Sequence, residues 1–549
     1  MSRTFIKKAL FTLLLSIILF PSCAPNEEGM ESENFSLVPP GKADNFYSDS
    51  AMEFLVSGSM LVELAEEHLD LPADEQRDRA EELAQLKVTM LMAYLNEYVI
   101  DKSDHSSQAD YGGLHAMARA ASFESETLTE ESPGVYRFSF TGEIGGSLDF
   151  MDLVPASPNY TAPLGGKVLE FGVPLLSTTD LQNGLWQSSY AISPSSWDPA
   201  TKDPSVVEVV PLTITPEEIS KDAFIDYNAL MADGLLTVGI HFGYDYNEQQ
   251  YDLQEAREVY DKLVVWGFAS PAPSFEALTL TSGPFVKTVT ANGRSVRVEI
   301  TLIHDQMVDP VSDAALLKAA LIESFTTREV ILFNGHAGFS GRFLPANWQS
   351  TSAGNISSEE MWAMNLPSWY QVVLVNGCDT YGKFADNFRL NPAKQDAQGN
   401  LINVDVVTST SFAWLSQMGN VSLKFVQSLC GGYQNEVTPI TWDRLLTEIN
   451  WGVNSSVFFG VHGIDDNPRL HPFADPAAQC RPCAATSDCG SPLGQKCVAM
   501  LDGAKYCAMT CLDDSACPVS MTCQNVAKEA SIVSRHCVPV SLTCTSDAH

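Results

Sequence analysis

The hydrophobic rhythm of the chain changes along its length, and each rhythm predicts a different kind of structure. Residues 51 to about 104 read as mostly helical. Pro72-Ala73-Asp74-Glu75 has helix-start chemistry, and Leu83, Leu86, Met90 and Tyr94 follow at helical spacing as far as Val99. Residues 134–290 turn to alternation, as in Val135-Tyr136-Arg137-Phe138-Ser139-Phe140, between Gly, Pro and Ser clusters. That pattern predicts antiparallel strands, interrupted by one helix over 253–265. Residues from about 286 to 475 alternate strands with helices. Strands are expected at 295–303, 330–333, 372–375 and 404–409, and helices at 313–325, 421–429 and 441–449. Ser357-Ser358-Glu359-Glu360 opens a further helix, with a capping serine and acids in the first turn.

Two strands of this last region are near copies. Val330-Ile331-Leu332-Phe333-Asn334-Gly335-His336 and Val372-Val373-Leu374-Val375-Asn376-Gly377-Cys378 are both apolar runs that stop at Asn-Gly. One then presents a histidine, the other a cysteine. Unbroken apolar runs of this length read as strands buried on both faces, which belong to parallel sheets flanked by helices. In such sheets chemistry gathers outside the carboxyl ends of the strands. If the two strands are neighbours, His336 and Cys378 leave the sheet at one edge as a cysteine–histidine nucleophile pair. The alternative is a buried apolar thiol beside a turn histidine, since free cysteine is among the most buried residue types. A rival histidine, in Val461-His462-Gly463-Ile464-Asp465-Asp466-Asn467, follows the cysteine instead of preceding it. Its acids lack the spacing of a calcium loop.

The ends of the chain add two other kinds of segment. Arg3, Lys7 and Lys8 precede an apolar stretch over 9–20 that ends in Phe20-Pro21-Ser22-Cys23. Residues 1–22 thus read as a targeting signal, too short to span a bilayer as a mature helix. A small residue before Cys23 resembles a bacterial lipoprotein signal, with Phe20 where a leucine is usual. That resemblance implies lipidation of Cys23 and an outer-membrane or cell-surface location. A plain secretion signal with an incidental cysteine is the alternative. Residues 23–50, rich in Glu, Ser, Asn, Pro and Gly, read as a flexible tether.

Ten of the 13 cysteines lie between residues 480 and 544. Cys483, Cys489, Cys497 and Cys507 are spaced much like Cys511, Cys517, Cys523 and Cys537, and Cys480 and Cys544 bracket both groups. In an exported chain this density predicts a disulfide-rich module over 476–549. Zinc is the competing account, but only Cys480 and Cys483 have ligand spacing, so no metal is assigned. Cys378 and Cys430 are left over, as a further bridge or as free thiols. Formal charge is −36, and loss of Arg3, Lys7 and Lys8 with the signal makes it −39. Such acidity argues against nucleic acid as a partner.

Residues 294 to about 450 resemble the caspase-like (clan CD) cysteine peptidases, closest to the gingipain and CHAT types. Members carry histidine-glycine after one strand, then a small residue and cysteine after the next parallel strand. Phe333-Asn334-Gly335-His336-Ala337-Gly338 and Leu374-Val375-Asn376-Gly377-Cys378-Asp379-Thr380 stand at those places. The resemblance implies Cys378 as nucleophile, His336 as base and acid, and an oxyanion site at the backbone N–H groups of Cys378 and Gly338. It departs at Ala337, because the family's histidine is followed directly by glycine. Either Gly338 serves the oxyanion or the site is altered and inactive. Asp379, Asp405 and Arg342 are specificity candidates by position only.

The fold class expected is therefore α/β. A caspase-like, mostly parallel sheet over 286–475 follows an α+β, β-rich accessory region over 51–285 and precedes the cysteine-rich module. The function expected is a surface-anchored cysteine endopeptidase acting on protein or peptide, without a cofactor. A non-catalytic lipoprotein that binds a partner through the same fold is the alternative. A third possibility is a zymogen, cut near Ser270-Pro271-Ala272-Pro273.

Overall fold

The computed structural model describes residues 46–544, apart from short segments at 101–111, 218–219, 338–340, 379, 399, 454–456, 501–502, 528–532 and 542. The targeting signal, Cys23, most of the tether, Gly338 and Asp379 lie outside the described residues. Among those described, no helix is long and apolar enough to cross a membrane.

The first unit is an antiparallel sheet backed by one long helix. Its strands are β1 (Ala51–Glu63), β2 (Ala116–Phe123), β3 (Thr129–Ser132), β4 (Val135–Ser147), β5 (Lys167–Pro174) and β6 (Val207–Pro216). They run in the order β2-β4-β1-β6-β5, with β3 pairing on β4. Alternation decides which face is buried. Phe54, Val56, Met60 and Val62 of β1, with Phe138, Phe140 and Ile144 of β4, pack beneath helix Ala73–Val99. Two expectations change here. Residues 51–63 form a strand, not a helix, because their apolar positions repeat every second residue. Residues 46–50 are no tether: Phe46 is buried against Tyr381 and His462, and Tyr47 bridges to Val461.

The second unit is built on a seven-stranded sheet. Its strands are β7 (Leu235–Phe242), β8 (Phe285–Ala291), β9 (Arg294–His304), β10 (Val330–Asn334), β11 (Gln371–Asn376), β12 (Val404–Ser409) and β13 (Phe459–His462), in the order β13-β12-β11-β10-β7-β9-β8. The run from β12 to β9 is parallel, and β8 and β13 close the edges antiparallel. The central strands are apolar on both sides. Val330, Leu332, Val372 and Leu374 face helices Tyr251–Val265, Met418–Cys430 and Trp442–Asn450, while Ile331, Phe333, Val373 and Val375 face Ala314–Thr327, Ser358–Ala363 and Phe384–Arg389. This explains why their sequences are continuous, not alternating.

The α/β unit begins well before residue 286, since β7 lies near the middle of the sheet. Reading 134–290 as one antiparallel region missed this: Leu235–Phe242 is buried throughout its last five residues, but it sits close to true antiparallel strands in sequence. From β7 the chain goes first to one side, forming β8 and β9, and then crosses to the other side to form β10. The β7–β10 boundary is therefore the switch point of the sheet, where a crevice opens beyond the carboxyl ends.

The cysteine module holds two hairpins, β14 (Gln495–Ala499) with β15 (Lys505–Met509) and β16 (Met521–Ala527) with β17 (Val533–Pro539). The bridges are Cys483–Cys497, Cys489–Cys507, Cys511–Cys523 and Cys517–Cys537, with Cys480–Cys544 joining the ends. The repeated spacing thus corresponds to the same first-to-third, second-to-fourth pairing in each half.

Candidate functional site

The two Asn-Gly exits lie side by side. Strands β10 and β11 pair in parallel with Asn334 opposite Asn376, so His336 and Cys378 each stand two residues beyond a matched pair. The side chains of that pair lock the exits. Asn334 Oδ1 accepts from Asn376 Nδ2 at 3.0 Å and from Ser422 Oγ at 3.1 Å, and Asn334 Nδ2 donates to the His241 carbonyl at 3.3 Å. Beyond them the loops touch. A Cβ on Gly377 would lie 2.7 Å from the Gly335 carbonyl oxygen and 2.8 Å from Ala337 Cβ. Gly335 itself has φ +154° and packs on Gly243, which follows β7. Only glycines permit three strand ends to converge this closely.

His336 is buried in an aromatic cradle. Tyr246, from the turn after β7, stacks on its ring at 4.8 Å between centroids and 14° between planes, and Trp348 meets it edge-on at 5.8 Å. Neither residue was singled out in the sequence. Tyr246 could have been found from the Gly-Tyr-Asp-Tyr turn that ends the apolar run of β7, had that run been recognised as a central strand.

Cys378 is closed off. Its relative exposure is 1 %, and its neighbours Phe46, Ala51, Ile100 and Met117 come from the first unit, with Tyr381 and Phe412 from its own. Sγ lies 3.9 Å from the Ala413 carbonyl oxygen. The sulfur is disulfide-bonded. Its partner is not Cys430, which is a free, buried thiol pushed up to about 11 by burial, with Sγ 2.9 Å from the Val426 carbonyl.

The cover over Cys378 is held by buried charge. Arg119, on β2, reaches Asp386 at 2.6 Å, Glu143 at 2.8 Å and Glu53 at 3.9 Å. Asp386 follows Cys378 in the second unit and also meets Arg389 at 3.1 Å. Glu53 accepts from Tyr381 Oη at 2.8 Å and from the Phe46 N–H at 3.0 Å. Burial, then the nearby Glu143 carboxylate, pushes Glu53 well above the usual carboxylate range, while Arg119, Tyr381 and the Phe46 N–H pull the other way.

The remaining candidates have structural roles. His462 Nε2 lies 3.1 Å from Thr408 Oγ1 and its ring stacks on Tyr381; burial, then Arg119 and Arg389, holds it well below its ordinary pKa. Asp405 is no specificity residue. It sits fully buried near the amino end of β12, bonded to Tyr370, Trp442 and Asn467, so it faces away from the carboxyl edge. The clusters of sulfurs close enough to hold a metal, Cys483–Cys489–Cys507 and Cys511–Cys517–Cys537, consist of bridged cysteines. No family model, curated protein or solved structure matches the chain.

Proposed function

We propose that this chain is a surface-anchored cysteine endopeptidase of the caspase-like group, held closed by its first unit. The observation that carries the reading is the register of β10 and β11. Matched Asn-Gly exits on adjacent parallel strands, beside the switch point, deliver a histidine and then a cysteine, as the family resemblance implies. With the cover lifted and the sulfur reduced, the Cys378 thiolate would attack a peptide carbonyl carbon. His336 would protonate the departing amine, and water would then release the acyl group from sulfur. Backbone N–H groups at the Gly377–Cys378 turn supply a site for the developing oxyanion.

The non-catalytic reading is favoured by one specific observation: Cys378 is buried and disulfide-bonded. The two are separated by assaying the mature chain on a diverse peptide library with reductant present, before and after a protease cut engineered between Pro216 and Phe224. Cleavage that emerges after the cut and vanishes in Cys378→Ala and in His336→Ala establishes the peptidase. Absence of cleavage from reduced, cut protein leaves the partner-binding lipoprotein as the better account.

A further inference from the structure

The cover over Cys378 has two parts, and only one of them is woven into a sheet. Ala51 opens β1, which pairs with β4 along its whole length, and Met117 lies on β2, paired with the same strand. Phe46 belongs to neither sheet. It heads the short segment 46–50, which lies against β13, an edge strand of the second unit.

The segment meets β13 as an added strand would, but through one residue only. The Tyr47 N–H donates to the Val461 carbonyl at 2.9 Å, and the Val461 N–H donates to the Tyr47 carbonyl at 2.8 Å. An edge strand leaves such outward groups unpaired, and an extended peptide is what satisfies them. The next outward pair, on Phe459, is already taken. Asn450 Oδ1 accepts from the Phe459 N–H at 2.8 Å, and Asn450 Nδ2 donates to the Phe459 carbonyl at 3.0 Å. Ser48 Oγ also donates to that carbonyl, at 2.6 Å, and accepts from the N–H groups of Ser50 and Ala51, both at 3.2 Å. These bonds turn the chain off β13 and into β1. At the rim, Tyr47 Oη donates to Asp443 at 2.8 Å, and Asn450 Nδ2 donates to Asp49 at 2.6 Å.

What this contact delivers is the ring of Phe46. It is 2 % exposed, and it meets His462 at 5.0 Å and Tyr381 edge-on at 5.4 Å between centroids. The pocket is shaped to the ring, since a Cβ on Gly460 would lie 2.1 Å from Phe46 Cζ. Tyr381 and Cys378 share one buried cluster with Phe46. Backbone hydrogen bonds exchanged with water add little net stability, so the buried ring is the main hold. Withdrawing 46–50 breaks one strand pair and empties one pocket, and it leaves the ladders of both sheets whole.

We infer that residues 46–50 are a releasable plug over Cys378, and that the pocket beside β13 is a binding site for an extended peptide led by an aromatic residue. In the closed chain the ligand is its own Phe46-Tyr47-Ser48. With the plug withdrawn, the same motif supplied by another chain fits in its place. The inference rests on the cover of Cys378 and holds whether or not the chain cleaves peptides.

The test reads access to the Cys378 sulfur in the mature chain, by iodoacetamide labelling under a mild reductant and mass spectrometry of each cysteine. Cys430, buried in the core of the second unit, is the internal reference for unfolding. Phe46→Ala is expected to speed labelling of Cys378 roughly tenfold by local opening, while Cys430 stays protected. The acetylated peptide of residues 46–50 should slow that labelling towards the wild-type rate, and the same peptide with alanine in place of Phe46 should not. Labelling of Cys378 that stays at the wild-type rate would overturn the plug, because Ala51 and Met117 would then suffice as cover. An equal rise at Cys378 and Cys430 would overturn it as well, since the ring would then be part of the general core. Fast labelling that the peptide leaves unchanged would overturn the binding site. If Phe46→Ala lacks a native circular dichroism spectrum, Phe46→Leu is read in the same way, and failure of both to fold counts against the plug.

Discussion

At Gly377 a single hydrogen atom keeps two loops together. An added methyl would meet the Gly335 carbonyl oxygen and Ala337 Cβ well inside contact distance, and both belong to a tightly paired strand exit. Gly377→Ala is therefore expected to destabilise the fold by about 1–3 kcal/mol, the usual range for overpacking a core. Urea denaturation checks this; an unchanged midpoint would show that the loops are looser than their geometry. The neighbouring asparagines carry a different lesson. Their Asn-Gly pattern was legible in the sequence as the end of two like strands. That Asn334 also accepts from Ser422, on a helix 88 residues later, was not. A hydrogen bond between distant residues leaves no periodic trace in either segment.

At the scale of elements, the contact between the two sheets is dominated by one cation. Arg119 is fully buried, and its partners Asp386, Glu143 and Glu53 come from both units. Arg119→Met leaves the buried Glu53 and Asp386 and the half-buried Glu143 without it, and losing one partner of a buried ion pair costs about 3–5 kcal/mol. The expected outcome is faster hydrogen exchange along β1 and β2 than along β10 and β11, because the damage falls on the cover and not on the central sheet.

The same contact should respond to pH. Glu53 is raised from 4.5 to about 8, first by burial and then by Glu143. A carboxyl raised on folding binds its proton more tightly in the folded state. Its contribution is thus fully present below about 4.5 and is lost as pH rises towards 8. Glu143, Arg119, Asp386, Tyr381 and the Phe46 N–H face the group, and Glu143 should reinforce the trend because its own pKa is raised, first by burial. Denaturant midpoints should fall between pH 5 and pH 8.5, and Glu53→Gln should flatten that fall. A midpoint that rises with pH in wild type would mean the clamp depends on the charged carboxylate instead.

Across the whole molecule, the position of β7 decides how the chain can be opened. A cut between Pro216 and Phe224 separates the units in sequence, so that once disulfides are reduced they are held by noncovalent contacts, among them those of Arg119, Phe46 and Tyr47. A cut at 270–273, the place the sequence suggested for zymogen processing, leaves β7 on the amino-terminal fragment. That fragment would stay paired to both β9 and β10. Size-exclusion chromatography of reduced protein cut at engineered sites is expected to release the first unit only from the 216–224 cut, and more readily at alkaline pH. Separation after the 270–273 cut would contradict the sheet order.

Local pattern was enough to locate most strands and helices of the second unit, the paired Asn-Gly exits, the candidate dyad and the confinement of ten cysteines to one module. Each of these is written in neighbouring residues, through periodicity, capping or spacing. Tertiary structure alone decided that 51–63 and 235–242 join different sheets and that Phe46 and Met117 bury Cys378. Those outcomes depend on which distant surfaces exclude water together, and burial between remote segments has no signature in the residues taken one stretch at a time.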